Sequence, residues 1–270
     1  MRFVTFDAGR GPRAGVLRDG NRVVEAGRSV RDLIAVSRVA EPADADQISL
    51  SEVQLLPPIP DPQKIICIGL NYRSHAAESG VDPPETPTFF AKFRNALVAD
   101  GVEVPLPAAS KKVDYEAEVA FVVGPHTAKD VSEEDALDYI AGYMLLNDLS
   151  ARDLQFATPQ WLPGKVFDGS APCGPALVTP DEAGPHDAIE IELKLNGEVM
   201  QSASTADLIH PIPALLAHLS KLMTLEPGDI VSTGTPAGVG SVREPRVWLK
   251  PGDRVEINSP TLGTLRTSLI

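Results

Sequence analysis

The chain has 270 residues, 43% of them hydrophobic, and its 24 basic and 37 acidic side chains give a formal net charge of −13. This apolar content suffices for a sizeable core and excludes an intrinsically disordered chain, and the acidic excess argues against nucleic acid and membrane partners. No signal-peptide-like or membrane-spanning apolar run is present, so we expect a cytoplasmic protein. Cys67 and Cys173 lack zinc or disulfide spacing and are predicted to be buried thiols.

The first residues, 1–56, are predicted to form a small β-rich domain. Three short segments rich in β-branched residues begin it, and Asp19-Gly20 is typical of a hairpin turn between the second and the third. Ser29 is typical of a helix N-cap and predicts a short helix after these strands. Four prolines within 57–62 predict a stiff connector, because proline fixes φ and cannot join a central ladder.

The remaining residues, 63–270, are expected to form the main domain. A buried strand over 64–70 and a short helix ending at Gly80 come first, followed by a proline-rich loop over 81–88. The later pattern predicts a strand over 113–122, a helix over 136–142, a strand over 143–148, a helix with one apolar stripe including Leu222 over 211–223, and strands over 229–234 and 254–258. We therefore predict a β-rich α+β fold.

Acidic residues alternate along the strand predicted over 113–122. Asp114, Glu116 and Glu118 lie at every second position, so their side chains share one face. Neighbouring carboxylates about 7 Å apart repel by roughly 2–3 kcal/mol at an effective dielectric of 20. Either an arginine or lysine or a divalent metal could compensate for this repulsion, and an all-carboxylate set suits Mg²⁺ or Mn²⁺ rather than zinc. A solvated acidic face is the alternative.

Four further side chains are candidates for chemistry. Asp148 ends a predicted strand and could add a third carboxylate or be an ordinary turn residue. His75 and Glu78 are three residues apart in a predicted helix, so they form either a carboxylate-oriented general base or an exposed ion pair. Lys165 follows a Pro-Gly bend and could stabilise an oxyanion or be a surface lysine.

Five motifs follow one another along the chain: ICIGLNYRSHAAE, DYEAEVAFVVG, NDLSARDLQ, QWLPGKVFDGSAPCGPALVT and GDIVSTGTPAGVG. Together they resemble the fumarylacetoacetate hydrolase (FAH) family over about residues 60–270, and the N-terminal segment resembles the short leading domain of its bacterial and FAHD2-like members. The resemblance implies a mixed β-sandwich roll that forms a homodimer and binds one Mg²⁺ or Mn²⁺, with Ca²⁺ as a further alternative. It also implies a lid at 78–95 that orders over ligand.

The same resemblance implies residue roles. The implied metal ligands are Glu116, Glu118 and Asp148, the implied catalytic groups are His75, Glu78 and Lys165, and the implied substrate-binding residues are Gln155, Thr235, Arg152 and Tyr72.

The implied activity is hydrolysis of a C–C bond in a 3-acylpyruvate or other β-diketo acid, in aromatic catabolism, through a metal-held enolate and a water activated by His75 and Glu78. Oxaloacetate decarboxylation and 2-hydroxyhepta-2,4-diene-1,7-dioate isomerisation pass through a similar enolate, so both stay open. A non-catalytic 2-oxo-acid binding protein is the alternative from another class. Leu70, Arg94 and Asn95 depart from the acylpyruvase-like pattern, and no residue identifies the acyl group.

Overall fold

The computed structural model describes residues 1–27, 29–35 and 47–270. Within these residues the strands are β1 (Arg2–Asp7), β2 (Arg13–Arg18), β3 (Arg22–Gly27), β4 (Gln47–Ser49), β5 (Gln54–Leu56), β6 (Ile65–Gly69), β7 (Thr88–Lys92), β8 (Leu97–Val98), β9 (Glu103–Val104), β10 (Val113–Asp114), β11 (Ala117–Val123), β12 (Ile140–Asn147), β13 (Ser150–Ala151), β14 (Ala171–Val178), β15 (Glu190–Leu195), β16 (Glu198–Ser204), β17 (Ile230–Ser232), β18 (Arg254–Ser259) and β19 (Gly263–Leu269). The helices are α1 (Val30–Ile34), α2 (Arg73–Ser79), α3 (Arg152–Gln155), α4 (Pro180–Ala183) and α5 (Ile212–Leu222). The predicted β-rich α+β class is confirmed.

Two sheets carry most of the fold. The larger runs in the order β4-β3-β2-β1-β14-β12-β11-β17-β6-β7, with β5 paired to β1 and β8 to β14. The smaller runs in the order β16-β15-β18-β19-β9, and β10 and β13 form a separate short pair. Neighbours at the centre of the larger sheet are antiparallel except β17 and β6, which are parallel. None of the helices in the described ranges is long and apolar enough to span a bilayer.

The central strands β11 and β12 are buried on both faces. Val119 and Phe121 point into a core shared with the smaller sheet and α5, whereas Ala120 and Val122 point into a second core shared with β1, β6 and α1. Alternation of side chains along a strand produces this division. Apolar residues are therefore needed at consecutive positions of both strands, which explains their nearly continuous hydrophobic runs.

The predicted elements near the N-terminus are confirmed. Asp19 and Gly20 have φ values of 48° and 71°, as a tight hairpin turn between β2 and β3 requires. The Ser29 side chain accepts a hydrogen bond from the Asp32 N–H and so caps α1. β1 pairs with β14, so the first strands extend the larger sheet. The separate domain at 1–56 and the connector at 57–62 stay predictions.

The strand predicted over 113–122 is interrupted at Tyr115 and Glu116, between β10 and β11. Side-chain amides take the backbone hydrogen bonds there. The Glu116 N–H donates to Asn147 Oδ1 at 3.2 Å, and the next N–H donates to Gln201 Oε1 at 2.9 Å. These bonds satisfy buried N–H groups without a continuous ladder, so the strand breaks between Asp114 and Glu118.

Two helix predictions need correction. The helix predicted over 136–142 is a single 3₁₀ segment, Ala136–Tyr139, because Ile140 already begins β12 and pairs with Val123 of β11. Cross-strand pairing thus ends the helix early. The helix predicted over 211–223 is confirmed as α5, but Leu222 is 56% exposed and lies off the buried stripe.

Replacing Phe121 by alanine tests the core between the two sheets. Phe121 is fully buried, so we expect Phe121→Ala to lower the free energy of unfolding by about 3–5 kcal/mol. Phe93 is 52% exposed and provides the matched control, with an expected change within about 0.5 kcal/mol. Urea denaturation of Phe121→Ala and Phe93→Ala measures both free energies of unfolding. Equal decreases in the two variants would contradict the placement of Phe121 in the core.

Candidate metal and substrate site

The register between β11 and β12 brings three acidic side chains together. Ala117 lies opposite Asn147, and the Asp148 N–H donates to the Glu116 carbonyl at 2.9 Å. Glu116, Glu118 and Asp148 offer carboxylate oxygens that lie within 4.8 Å of one another, and all three residues are buried. Burial excludes the solvated acidic face, and Asp148 is not an ordinary exposed turn residue.

Two buried lysines neutralise Asp148. Lys92 Nζ lies 2.6 Å from Asp148 Oδ1, and Lys165 Nζ lies 2.7 Å from Asp148 Oδ2. Lys165 Nζ also lies 2.7 Å from Glu116 Oε2 and 4.8 Å from the centre of the Phe90 ring. Burial disfavours the charge of Lys165, but Asp148 and Glu116 outweigh it and raise the pKa of this lysine.

Arg152 binds the other side of the cluster. Its Nη2 lies 2.7 Å from Glu116 Oε1 and 2.9 Å from Asp114 Oδ2. Asp114 also accepts the N–H groups of Gly240 and Ser241 at 2.8 and 3.0 Å, so it anchors Arg152 and does not join the carboxylate cluster. Burial raises the pKa of Glu116, but Arg152 and Lys165 outweigh it and lower this pKa to about 2.

Glu118 has a different environment. It accepts hydrogen bonds from the Ser232 hydroxyl and from the Gly234 N–H, the latter at 3.0 Å. Burial, followed by the charges of Asp148 and Glu116, raises its pKa well above the ordinary value. Glu118 is therefore the ligand candidate with the weakest compensation by protein cations.

The cluster fits a divalent cation. With Glu118 ionised, as a metal ligand must be, the four acids Asp114, Glu116, Glu118 and Asp148 carry four negative charges against the three cations Arg152, Lys92 and Lys165, so one negative charge is left over. The ligand atoms are all carboxylate oxygens, which Mg²⁺, Mn²⁺ and Ca²⁺ prefer and zinc sites rarely use alone. Both predicted sources of compensation, protein cations and a metal site, are thus compatible with this geometry.

His75 and Glu78 meet on α2. His75 Nδ1 lies 3.5 Å from Glu78 Oε2, and both Glu78 oxygens lie 3.0 Å from the Gly238 N. Gly238 has a φ of 101°, and a Cβ there would lie 2.1 Å from the Met200 carbonyl oxygen. Only glycine therefore brings this backbone N–H up to Glu78.

A cavity of about 290 Å³ connects most of these groups. Its polar lining includes eight of the predicted residues, namely His75, Glu116, Glu118, Asp148, Arg152, Gln155, Lys165 and Thr235. Its apolar lining includes Leu70, Val81, Phe90, Phe156 and Trp161. The structure therefore brings the implied metal ligands, the histidine and the lysine to one cavity.

The remaining predicted residues either lie outside the cavity or already bond to other protein groups. Glu78 contacts His75 but does not line the cavity, and Tyr72 is fully buried in the core at the start of α2. Gln155 Oε1 accepts a hydrogen bond from Arg152 at 3.0 Å. Thr235 donates to a backbone carbonyl at 3.0 Å and accepts from Gln201 at 2.9 Å. Their roles in substrate binding stay predictions.

Lys92 is the main residue that sequence reasoning missed. The lid predicted over 78–95 is wrong for Thr88–Lys92, because these residues form β7 and pair with β6. Lys92 and Phe90 are two residues apart on this strand and both face the cluster. The sequence signal for Lys92 was a lysine at the end of an apolar strand segment, where its side chain would be buried and would need an acidic partner.

Trp161, which lines the cavity, packs over Gly69. A Cβ at position 69 would lie 2.4 Å from the indole ring, so the contact requires glycine there.

Comparison with known proteins identifies the class. A family model described as fumarylacetoacetate (FAA) hydrolase, C-terminal, matches residues 64–270. This family comprises enzymes that act on small molecules, and its match contains every residue of the cluster. The chain belongs to the fumarylacetoacetate hydrolase family, as its motifs predicted.

Two curated relatives carry the same activity name. Oxaloacetate tautomerase fahd2, mitochondrial, of Xenopus laevis is 38% identical over 289 residues, covering 100% of this chain and 90% of the relative. Oxaloacetate tautomerase FAHD2A, mitochondrial, of Homo sapiens is 40% identical over 240 residues, covering 88% and 76%.

Two solved structures share the whole fold. Fumarylacetoacetate hydrolase from Exiguobacterium antarcticum has a TM-score of 0.90 and 32% identity, covering 100% of this chain and 99% of that one. The 2-hydroxyhepta-2,4-diene-1,7-dioate isomerase from Mycobacterium marinum has a TM-score of 0.83 and 33% identity, covering 100% and 98%. The predicted FAH-type fold is confirmed.

Glu118→Gln tests the metal site through thermal stability. We expect millimolar Mg²⁺ to raise the Tm of the wild type by mass action and to leave the Tm of the variant unchanged, because one of three ligands loses its charge. Glu133 is exposed and acidic, so Glu133→Gln is the matched control and keeps the shift. An undiminished shift in Glu118→Gln would place the ion elsewhere.

Lys165→Met tests whether this lysine competes with the ion. Its ammonium lies 2.7 Å from oxygens of two candidate ligands, so its removal leaves Glu116 Oε2 and Asp148 Oδ2 without a cation, while Arg152 and Lys92 still pair with the other oxygens. We expect a lower Tm without metal and a larger Mg²⁺-induced shift than in the wild type, with Lys129→Met at an exposed position as control. A shift equal to or smaller than that of the wild type contradicts competition.

Proposed function

We propose that the chain catalyses metal-dependent enolisation of a 2-oxo acid, with keto–enol tautomerisation of oxaloacetate as the principal reaction. The observation that carries this proposal is one cavity that contains a carboxylate cluster, the Lys165 ammonium and the His75 imidazole. Enolisation needs positive charge beside the C2 oxygen and a base beside C3. The cavity offers both kinds of group.

The carboxylate cluster and the lysine serve the oxygen end of the reaction. Glu116, Glu118 and Asp148 would hold a divalent ion, which supplies Lewis-acid stabilisation of the enolate when bound. The Lys165 ammonium adds a hydrogen-bond donor and a positive charge for the same oxygen. Lys92 stays on Asp148 Oδ1, 2.6 Å away, and fixes the orientation of that carboxylate.

His75 serves the carbon end. Its Nδ1 faces Glu78, so its other ring nitrogen is the one available to remove a proton from C3 and to return it to the enolate. Glu78 is itself fixed by the Gly238 N–H, which orients the histidine in turn. The proton that leaves C3 is returned to the C2 oxygen in the enol, so tautomerisation balances without any other reactant.

The apolar walls limit competing reactions. Phe90 and Trp161 pack edge to face with ring centres 5.8 Å apart and form one side of the cavity. Excluding water strengthens the electrostatic stabilisation of an enolate and protects it from side reactions.

The names of the relatives also favour enolisation over hydrolysis. Both curated relatives reported above are named oxaloacetate tautomerases, and one solved structure is named for a dienedioate isomerisation. A tautomerisation moves a proton between carbon and oxygen, and an isomerisation, like a tautomerisation, consumes no water. Hydrolysis of a 3-acylpyruvate is the second candidate, because the His75–Glu78 contact could equally activate a water molecule. A pure binding protein has no need of that contact.

His75→Ala tests the base in the tautomerisation of oxaloacetate. We expect the kcat for ketonisation of enol-oxaloacetate with Mg²⁺ to fall by about 100-fold or more, with a smaller change in KM, because in this direction C3 gains a proton and the acid–base group that delivers it is lost. The decay of enol absorbance in a stopped-flow experiment measures the rate. His218 lies on α5 away from the cavity, and His218→Ala should retain full activity.

Parallel assays with acetylpyruvate separate the candidate functions. Wild-type turnover of enol-oxaloacetate that depends on His75, without release of pyruvate from acetylpyruvate, supports the tautomerase. Faster cleavage of acetylpyruvate than tautomerisation of oxaloacetate would favour the hydrolase. Oxalate binding with no turnover of either compound would leave the binding protein as the function.

A further inference from the structure

Leu70 has an unusual backbone conformation. Its φ is 50°, in the left-handed region that bulky side chains rarely adopt. Among the described residues, three other positions besides glycines have a positive φ, and all three carry residue types that tolerate this region: Asp19, Asp130 and Asn196. Leu70 is therefore the exception in this group.

The residues on either side of Leu70 fix this conformation. Gly69 ends β6 and pairs with Thr88 of β7. The buried Asn71 side chain donates to the His210 and Thr233 carbonyls at 3.1 and 2.9 Å and accepts the His210 N–H at 2.8 Å. The chain must turn between these two anchors, at a position where glycine would adopt the same φ without strain.

A role of the side chain is therefore needed to explain leucine at this position. Leu70 is partly buried and lines the metal and substrate cavity. It directly follows Gly69, over which Trp161 packs, and the Trp161 ring in turn contacts the Phe90 ring. Leu70, Phe90 and Trp161 thus form an apolar wall of the cavity, to which Leu70 contributes the aliphatic part.

This apolar wall lies in a small cavity that also contains the carboxylate cluster. The volume of about 290 Å³ is at the small end of the range for ligand sites. In the proposed function the 2-oxo carboxylate end of the substrate binds beside the carboxylate cluster and Lys165. The carbons beyond C3 then face the rest of the lining, which includes the apolar wall.

Building on the proposed function, we infer that Leu70 determines specificity by limiting the chain length of the 2-oxo acid. Its side chain occupies space that a chain longer than that of oxaloacetate would need. Glycine at this position would relieve the backbone strain but would leave the cavity open. The strained leucine therefore favours a short substrate over a longer one.

A pair of 2-oxo acids tests this limit on the wild type without requiring turnover. 2-Oxopentanoate is close to oxaloacetate in length, and 2-oxoheptanoate is longer by two methylenes. Burial of methylenes alone would favour the longer acid by about fourfold per group. In calorimetric titrations with Mg²⁺ we expect the opposite, with the shorter acid binding about fivefold more tightly or better, because Leu70 leaves no room for the longer chain.

Two variants separate the size of the side chain from the strain of the backbone. Leu70→Gly opens the cavity and should bind the longer acid at least as tightly as the shorter one, and Leu70→Ala should do the same if the glycine variant does not fold. Leu70→Asn keeps the number of side-chain heavy atoms and tolerates a positive φ, so it should prefer the shorter acid by about threefold or more.

Asp130→Gly is the control, because Asp130 is exposed, has a φ of 52° and does not line the cavity. It should keep the wild-type preference. Equal or tighter binding of the longer acid by the wild type, binding of neither acid, or an unchanged preference in the truncated variants would overturn the limit set by Leu70. Loss of the preference in Leu70→Asn would overturn it as well, because strain and not size would then be decisive.

Turnover of enol-oxaloacetate, measured on the wild type, tests the proposed function separately. A preference for the shorter acid without oxaloacetate turnover supports the limit set by Leu70 and contradicts the tautomerase. Turnover with equal affinities for the two acids contradicts the limit alone.

Discussion

Repulsion among buried carboxylates is the constraint on which the rest of this structure depends. Glu116, Glu118 and Asp148 lie so close that their oxygens are within 4.8 Å of one another, and all three side chains are buried. Burying such a cluster costs several kcal/mol per uncompensated charge. Lys92 and Lys165 supply the compensation, so residues from β7 and from the loop after α3 must converge on the ends of β11 and β12.

The register of the central sheet makes this convergence possible. Side chains at even positions of β11 and β12 point into the same core, as Ala120 and Met144 show, and the same alternation continues to Glu118 and Asp148 at the strand ends. A shift of one residue would send both acids to the opposite face. The site is thus the polar end of a face that is otherwise apolar, and the fold is stabilised by the hydrophobic part of that face.

Much of this could be predicted from the sequence because it is local or carried by motifs. The Glu116-x-Glu118 alternation, the spacing of His75 and Glu78 and the helix end at Gly80 depend on neighbouring residues. The contact between Lys92 and Asp148 joins residues 56 positions apart, and the amide that interrupts the acidic strand, Gln201, lies 84 positions from its partner. Such pairings follow from topology, which local periodicity does not specify.

The charge of the site also bears on how an acidic protein could accept the proposed 2-oxo acid. With Glu118 ionised and no ion bound, four carboxylates around three cations leave a net negative charge that would oppose an incoming 2-oxo acid. A divalent ion on Glu116, Glu118 and Asp148 would reverse the sign of that charge. Binding of ion and substrate is then coupled, because each makes the site more favourable for the other. Lys165 contributes to both, since the ammonium that now pairs with the carboxylates is the same group that would bind the enolate oxygen.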